Sequence, residues 1–561
     1  MSSGARRVLG EASGSSAIWT VENGVTLDRP RQSVCGQLAQ TFDQNLEQLL
    51  NGPLDRLLLS GGDARLRVEP ITGLNDYGCQ ASPRLEAIAF ASSTASTISD
   101  YGYAVAETLR AELVKSRNGN GLVEMISERT ERQRREFADL FRLRESEIIF
   151  TPSGTDAQAY ALCVARMILR PPVLSVVVAS DETGSGTAEV SEGKHFSVVT
   201  SCGVPVERGM PIRGLEGVSK VSIPLRRQSG CLYSDTELDA QVLRTVQESV
   251  ESGKSVLLYV MDHSKLGSQC PSDSCIREIL ENWPSSVLVA VDACQLRVSR
   301  DRIRAYLDDG HIVIVTGSKF FGGPPFSGAL LVPTAISDRM ATTEQVPIGL
   351  RNYSNAIDWP LCWKGIRGQL PNRVNIGQFL RWAVSLKEMR NYFAVPTLVR
   401  RLALRQFART VIELIRAYPN LRLLPYVNSN GHNHGDDEMS VRTIFPFLLY
   451  RNGAPMSLSE TKIVYRALNQ NLSEAFVDLK EKMLSQALCH IGQPVAVRTE
   501  GGILAGALRI SCDARLISQS WFKGGEGKAY MELRSRCLQI NTVLKKLNLI
   551  TIHFDTIAGK V

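Results

Sequence analysis

Apolar residues recur at helical spacing over residues 33–60, at Leu38, Phe42, Leu46, Leu49 and Leu50, before a glycine-rich break at Ser60-Gly61-Gly62-Asp63. That pattern predicts a helix and then a turn. The stretch from Tyr101 to Leu143 is long, charged and amphipathic, and Asn118-Gly119-Asn120-Gly121 interrupts it, so two helices are expected there. From about residue 147 the pattern changes to short apolar runs at 147–150, 173–179, 255–261, 287–291, 312–315 and 329–332, with helical or loop segments between them. Strands alternating with helices in this way predict a mostly parallel sheet covered on both faces, a three-layer α/β/α fold. In such sheets ligands sit just beyond the carboxyl ends of the strands. Residues 374–418 and 458–487 are helix-rich, and their Arg and Lys read as packing and solvated faces. The expected organisation is an N-terminal arm and extension over 1–100, a large domain over 101–340 and a smaller α+β C-terminal domain over 341–561. The first 30 or so residues, rich in Ser, Gly and Arg, read as a mobile leader.

Composition narrows the class. A chain of 561 residues that is 43% hydrophobic can bury a large core, which excludes wholesale disorder. The 64 basic and 57 acidic residues leave a net charge of +7 with no long run of one sign, so nothing calls for nucleic acid. No apolar stretch approaches the roughly 20 residues of a membrane helix, and a soluble, cytoplasmic protein is expected. Twelve cysteines are scattered along the chain, and only Cys270 and Cys275 lie close together. This favours neither a disulfide framework nor a zinc ribbon.

Three segments carry candidate chemistry, each at the end of an expected strand. In 312–324 a buried strand runs into Thr316-Gly317-Ser318-Lys319 and then Gly322-Gly323. A lysine placed there can be partly desolvated, which favours the neutral amine that attacks an aldehyde; the alternative is a surface lysine after a strand. In 286–295 an apolar strand ends in Asp292 with Gln295 three residues later. A carboxylate at that depth can keep a ring nitrogen protonated, although helix caps and metal ligands also look like this. In 148–158 a strand leads through Ser153-Gly154-Thr155 into a helix whose free N–H groups and dipole would bind a phosphate, or which is simply well capped.

In order along one sheet, these segments resemble the fold type I superfamily of pyridoxal 5'-phosphate (PLP) enzymes, and within it the class V aminotransferase and cysteine desulfurase branch. That branch reads roughly Ser-Gly-x-Thr, Asp-x-x-Gln and Ser-x-His-Lys. The chain has Ser153-Gly154-Thr155, Asp292-Ala293-Cys294-Gln295 and Thr316-Gly317-Ser318-Lys319. The resemblance implies a seven-stranded-type sheet and PLP as cofactor. Gly154, Thr155, Thr316 and Ser318 would hold its phosphate, Asp292 the pyridine nitrogen, Gln295 the phenolic oxygen and Lys319 the aldehyde. Near the C-terminus, Gly506-Ala507-Leu508-Arg509-Ile510-Ser511 is similar to the family's Leu-Arg-Ile/Val-Ser, whose Arg forks the substrate carboxylate. An arginine in a strand of a basic protein is otherwise simply solvated. The activity implied is activation of an amino-acid substrate at Cα through an external aldimine, by a transferase or lyase acting at the β or γ carbon or forming a C–C bond. An aminotransferase and a catalytically silent binding protein are the alternatives. A homodimer is implied as well.

Departures bear on the outcome. Where the branch places an aromatic or His over the ring, this chain has Asp181-Glu182-Thr183-Gly184-Ser185-Gly186-Thr187, which leaves the stacking partner unassigned. Cys489 lies only 509 − 489 = 20 residues ahead of Arg509 in an apolar context, which speaks against desulfurase chemistry. Asp262-His263-Ser264-Lys265-Leu266-Gly267 falls where the family has a polar loop near the ring, so His263 is a candidate substrate contact and an ordinary loop histidine is the alternative. His432 and His434 lack zinc-site spacing, and no metal is expected. The glycines at 184, 186, 501 and 502 make no dinucleotide fingerprint.

Overall fold

A computed structural model describes residues 46–116, 121–343, 345–429 and 438–559. The leader, Leu38, Phe42, His432 and His434 lie outside the described residues. All six expected strands form, within two residues of their expected limits, as Ser146–Thr151, Val173–Val178, Ser255–Asp262, Val287–Ala293, Ile312–Thr316 and Gly328–Pro333. A seventh, Ser219–Ile223, escapes a search for apolar runs because it is an edge strand exposed along most of its length. Across the sheet the order is 146–151, 328–333, 312–316, 287–293, 255–262, 173–178, 219–223. Strand 328–333 runs antiparallel to both its neighbours, and the pairs from 312–316 outward to 219–223 are parallel.

The continuous apolar runs follow from burial on both sides. Successive side chains point to opposite faces, so Leu258, Val289, Val291, Val313 and Val315 feed one core while Leu257, Leu288, Ala290, Ile312 and Ile314 feed another. Helices cover each face. The first core holds Phe137, Phe141 and Trp382, and the second holds Tyr160, Trp359 and Trp363. This is the three-layer α/β/α architecture, with the seven-stranded-type, mostly parallel sheet that the resemblance implied and an eighth, two-residue strand, Gln269–Cys270, added antiparallel to 255–262.

A second sheet is built from Leu421–Leu423, Ile444–Arg451, Leu488–Arg498 and Leu504–Ser511. Its edge is Ala87–Phe90, which pairs in parallel with the start of 488–498, Ala87 against Leu488. The N-terminal region is bound to the body a second time by Arg381, on the helix Ile376–Ala394. This arginine is fully buried and belongs to the packing face of its helix. Its guanidinium donates to the carbonyls of Phe326, Leu58, Ser60 and Gly61 at 2.7–3.1 Å. Burial lowers its pKa to about 9. Helices Asp100–Lys115 and Leu122–Phe141 stand on either side of the expected break. Among the described residues no helix is long and apolar enough to cross a membrane, and eleven cysteines, eight of them buried, are free.

Candidate active site

At the carboxyl ends of strands 287–293 and 312–316, facing the start of the helix Gly154–Ile168, lies a cavity of about 270 Å³. Its wall brings together Gly154, Thr155, His263, Asp292, Gln295, Thr316, Ser318, Lys319 and Arg509. These nine come from five separate segments of the chain.

One end of the cavity is formed by a helix start and a guanidinium. Ser153 caps the helix, accepting from the N–H of Asp156 at 3.2 Å. At Gly154 a Cβ would stand 2.6 Å from Cys294 Sγ, so only glycine lets the helix start press against the strand ends. Arg65, from the N-terminal region, donates to Thr155 Oγ1 at 3.1 Å and to Ser153 Oγ at 3.2 Å while Asp63 grips it from behind. It thus adds a permanent positive charge to the helix dipole. Thr316 lines the same region, but its hydroxyl donates to the Cys294 carbonyl at 2.7 Å. The carboxyl of Asp156 is pushed up to about 7 by burial and by Asp63.

Lys319 sits on a turn whose glycines have steric work to do. Gly317 N donates to Ser327 O and Gly323 N to Gly317 O. A Cβ at Gly317 or Gly323 would fall within 2.6 Å of the Ser385 side chain, so both positions must be bare for the helix 376–394 to pack against the turn. Across the cavity the Asp292 carboxylate is buried. Its Oδ1 accepts from Cys294 N at 3.1 Å and its Oδ2 from Gln158 Nε2 at 2.9 Å. Gln295 Nε2 donates to the Ser93 carbonyl at 3.0 Å, a contact that shares the amide expected to face a ring oxygen.

Arg509 is buried, and burial lowers its pKa to about 10. Its five N–H groups point at Gln493 O twice, Ser93 O, Lys265 O and Thr94 Oγ1, at 2.7–3.3 Å. No carboxylate is among those partners. The guanidinium therefore ties residues 93–94, 265 and 493 around the cavity. His263 adopts a left-handed backbone (φ 60°), and its Nδ1 lies 2.6 Å from Asp262 Oδ1. The carboxylate can only accept, so Nδ1 carries a hydrogen.

Loop 181–187 contributes Glu182, Thr183, Gly184, Ser185 and Thr187 to the wall, and no aromatic ring. Glu182 is engaged by Arg226 and the Ser264 hydroxyl. The aromatic part of the wall comes instead from Tyr77 and Phe326, with ring centroids 6.3 Å apart. Sequence reasoning missed Arg65, Gln158 and Lys265 as wall residues. For Gln158 a signal existed, since one helical turn separates it from Gly154; for Arg65 there was none.

No family model matches the chain, and no curated protein matches it. Solved structures do. A NifS-like protein is 14% identical with a TM-score of 0.46, the match covering 81% of this chain and 98% of that one. Mouse CSAD is 14% identical at 0.45, covering 89% and 99%. The apo cysteine desulfurase from Thermococcus onnurineus NA1 is 13% identical at 0.44, covering 82% and 95%. Identity and superposition are both low, so the chemistry of the site rests on its own residues.

Proposed function

We propose that the cavity holds pyridoxal 5'-phosphate on Lys319 and activates an amino-acid substrate at Cα. One observation carries the reading: a half-buried lysine, a buried strand-end carboxylate and a helix start reinforced by an arginine face one cavity. The residues fit the group. Ser93, on the cavity wall, has a buried hydroxyl oxygen with no hydrogen-bond partner among the described residues, and Gly154, bare of a Cβ, lets the helix start close on Cys294 beside Asp292 and Lys319. Bound there, the cofactor supplies an electron sink for a carbanion at Cα. Arg65, Thr155, Ser318 and the N–H groups of the helix start would hold the phosphate. Asp292, kept in place by Gln158, would hold a proton at the pyridine nitrogen. Arg509 would orient the substrate carboxylate, and the Lys319 amine, once released, would take the Cα proton.

A transferase or lyase acting at the β or γ carbon, or forming a C–C bond, is the finer reading, with aminotransfer as the alternative. A silent binding protein is disfavoured because Lys319 and Asp292 are both present and both face the cavity. The reading includes a homodimer, which light scattering on the purified protein would test. The decisive experiment is an absorption spectrum. Protein reconstituted with the cofactor and passed through gel filtration should keep a visible band that Lys319→Ala lacks. A colourless wild-type protein would end the proposal.

A further inference from the structure

Lys265 follows Asp262-His263-Ser264 on the loop after the strand 255–262, lines the cavity, and is a second lysine in the wall with Lys319. Its main chain is fixed at both ends, the N–H donating to Glu182 O at 3.2 Å and the carbonyl accepting from Arg509 at 3.3 Å. Its ammonium has no hydrogen-bond or ion-pair partner among the described residues. The acidic groups around it are engaged elsewhere: Glu182 with Arg226 and Ser264, Asp262 with His263, Gln269 and Tyr306, and Asp292 with Gln158. An ammonium in such surroundings is costly unless an anion meets it.

The proposed function leaves this charge without a role. Arg65 serves the phosphate, Lys319 the aldehyde and Arg509 the α-carboxylate. We infer that Lys265 receives a second acidic group, so that the substrate is an amino acid bearing a side-chain carboxylate. This inference rests on the PLP reading and names its substrate class. Burial, and then Arg509, Lys319 and Arg65, push Lys265 down to about 7, with Asp292 acting against them. An arriving carboxylate raises that value, so acidic substrate takes up a proton as it binds above neutral pH.

The test compares L-aspartate with L-asparagine and L-glutamate with L-glutamine on the cofactor-loaded, full-length protein. Binding is read from changes in the visible band and by calorimetry at about pH 8 in buffers of different ionisation enthalpy. At least one acid should bind roughly 30-fold or more tighter than its amide, with net proton uptake. Lys265→Met should abolish the preference while keeping the band, and Lys265→Arg should retain it. Amides binding as tightly as acids to wild-type protein would overturn the inference, as would a preference that survives in Lys265→Met. Both results leave the PLP reading standing, because that reading fails on the wild-type band being absent or on its persistence in Lys319→Ala.

Discussion

The Asp292 carboxylate is aimed by Gln158, whose Nε2 donates to Oδ2 at 2.9 Å while its own Oε1 accepts from Thr187 Oγ1 at 2.9 Å. The carboxylate fixes which end of the amide faces it, since it can only accept and so takes Nε2, which leaves Oε1 to the Thr187 hydroxyl. The loop that lacks a stacking ring therefore still contributes to the site through its last residue.

Gln158→Leu removes a hydrogen bond to a charged group, a change of about 1.5–3 kcal/mol. Exchange of the substrate Cα proton with deuterated solvent, followed by NMR, should slow about 10–100-fold. Thr187→Val, which loosens Gln158 only indirectly, should cost less. Unchanged exchange in Gln158→Leu would separate this amide from the chemistry.

Arg65→Ala should weaken cofactor retention about 10–100-fold, the loss of charge-assisted bonds at the anion end. Arg65→Lys keeps the charge without the fork and should fall between the two. Equilibrium dialysis of the cofactor measures both, and equal affinity across the series would remove Arg65 from the anion site.

Gly154→Ala places a Cβ 2.6 Å from Cys294 Sγ and should destabilise the protein by about 1–3 kcal/mol. Adding Cys294→Ala removes the sulfur and should restore part of that stability, read from denaturant midpoints. Absence of any recovery in the double variant would place the strain elsewhere.

Asp156 has its carboxyl raised from 3.8 to about 7, so across that window the folded state binds more protons than the unfolded chain. Its stabilising contribution is complete below the lower value and is lost as pH rises toward the upper one. Asp358, raised to about 6 by burial, acts with the same sign over a lower range. Asp156→Asn in cofactor-free protein should therefore flatten the stability profile most between about pH 5 and 6. An unaltered slope there would contradict the shift.

The large sheet was readable because its strands are buried on both faces and leave uninterrupted apolar runs, whereas the polar edge strand 219–223 left no such trace. Lys319, Asp292 and Gly154 were readable for a related reason: each sits where an apolar run stops, the place a parallel sheet opens to ligands. Arg65 was not. Its partners Thr155 and Ser153 lie 90 and 88 positions away, and Arg381 reaches Gly61 across 320. No local pattern records such meetings, and arginines in basic helical segments look alike whether they are solvated or enclosed by carbonyls. Lys265 lay in a segment that invited attention, yet neighbouring His263 drew it first, because the lysine's isolation shows only once Glu182 and Asp262 are seen to be engaged.

The four carbonyls gathered by Arg381 have a consequence for biogenesis. The arm carrying Arg65 leaves the ribosome early, yet the side chain that seats it is made some 320 residues after Gly61. A nascent chain halted before that point has Asp292 and Lys319, and its Leu50, Leu54 and Leu57 can already pack on Ala106 and Leu113, but it lacks the guanidinium that gathers the carbonyls of Leu58, Ser60 and Gly61. Closure of the segment that carries Arg65 onto the turn at Phe326 thus completes only after the helix 376–394 has been made.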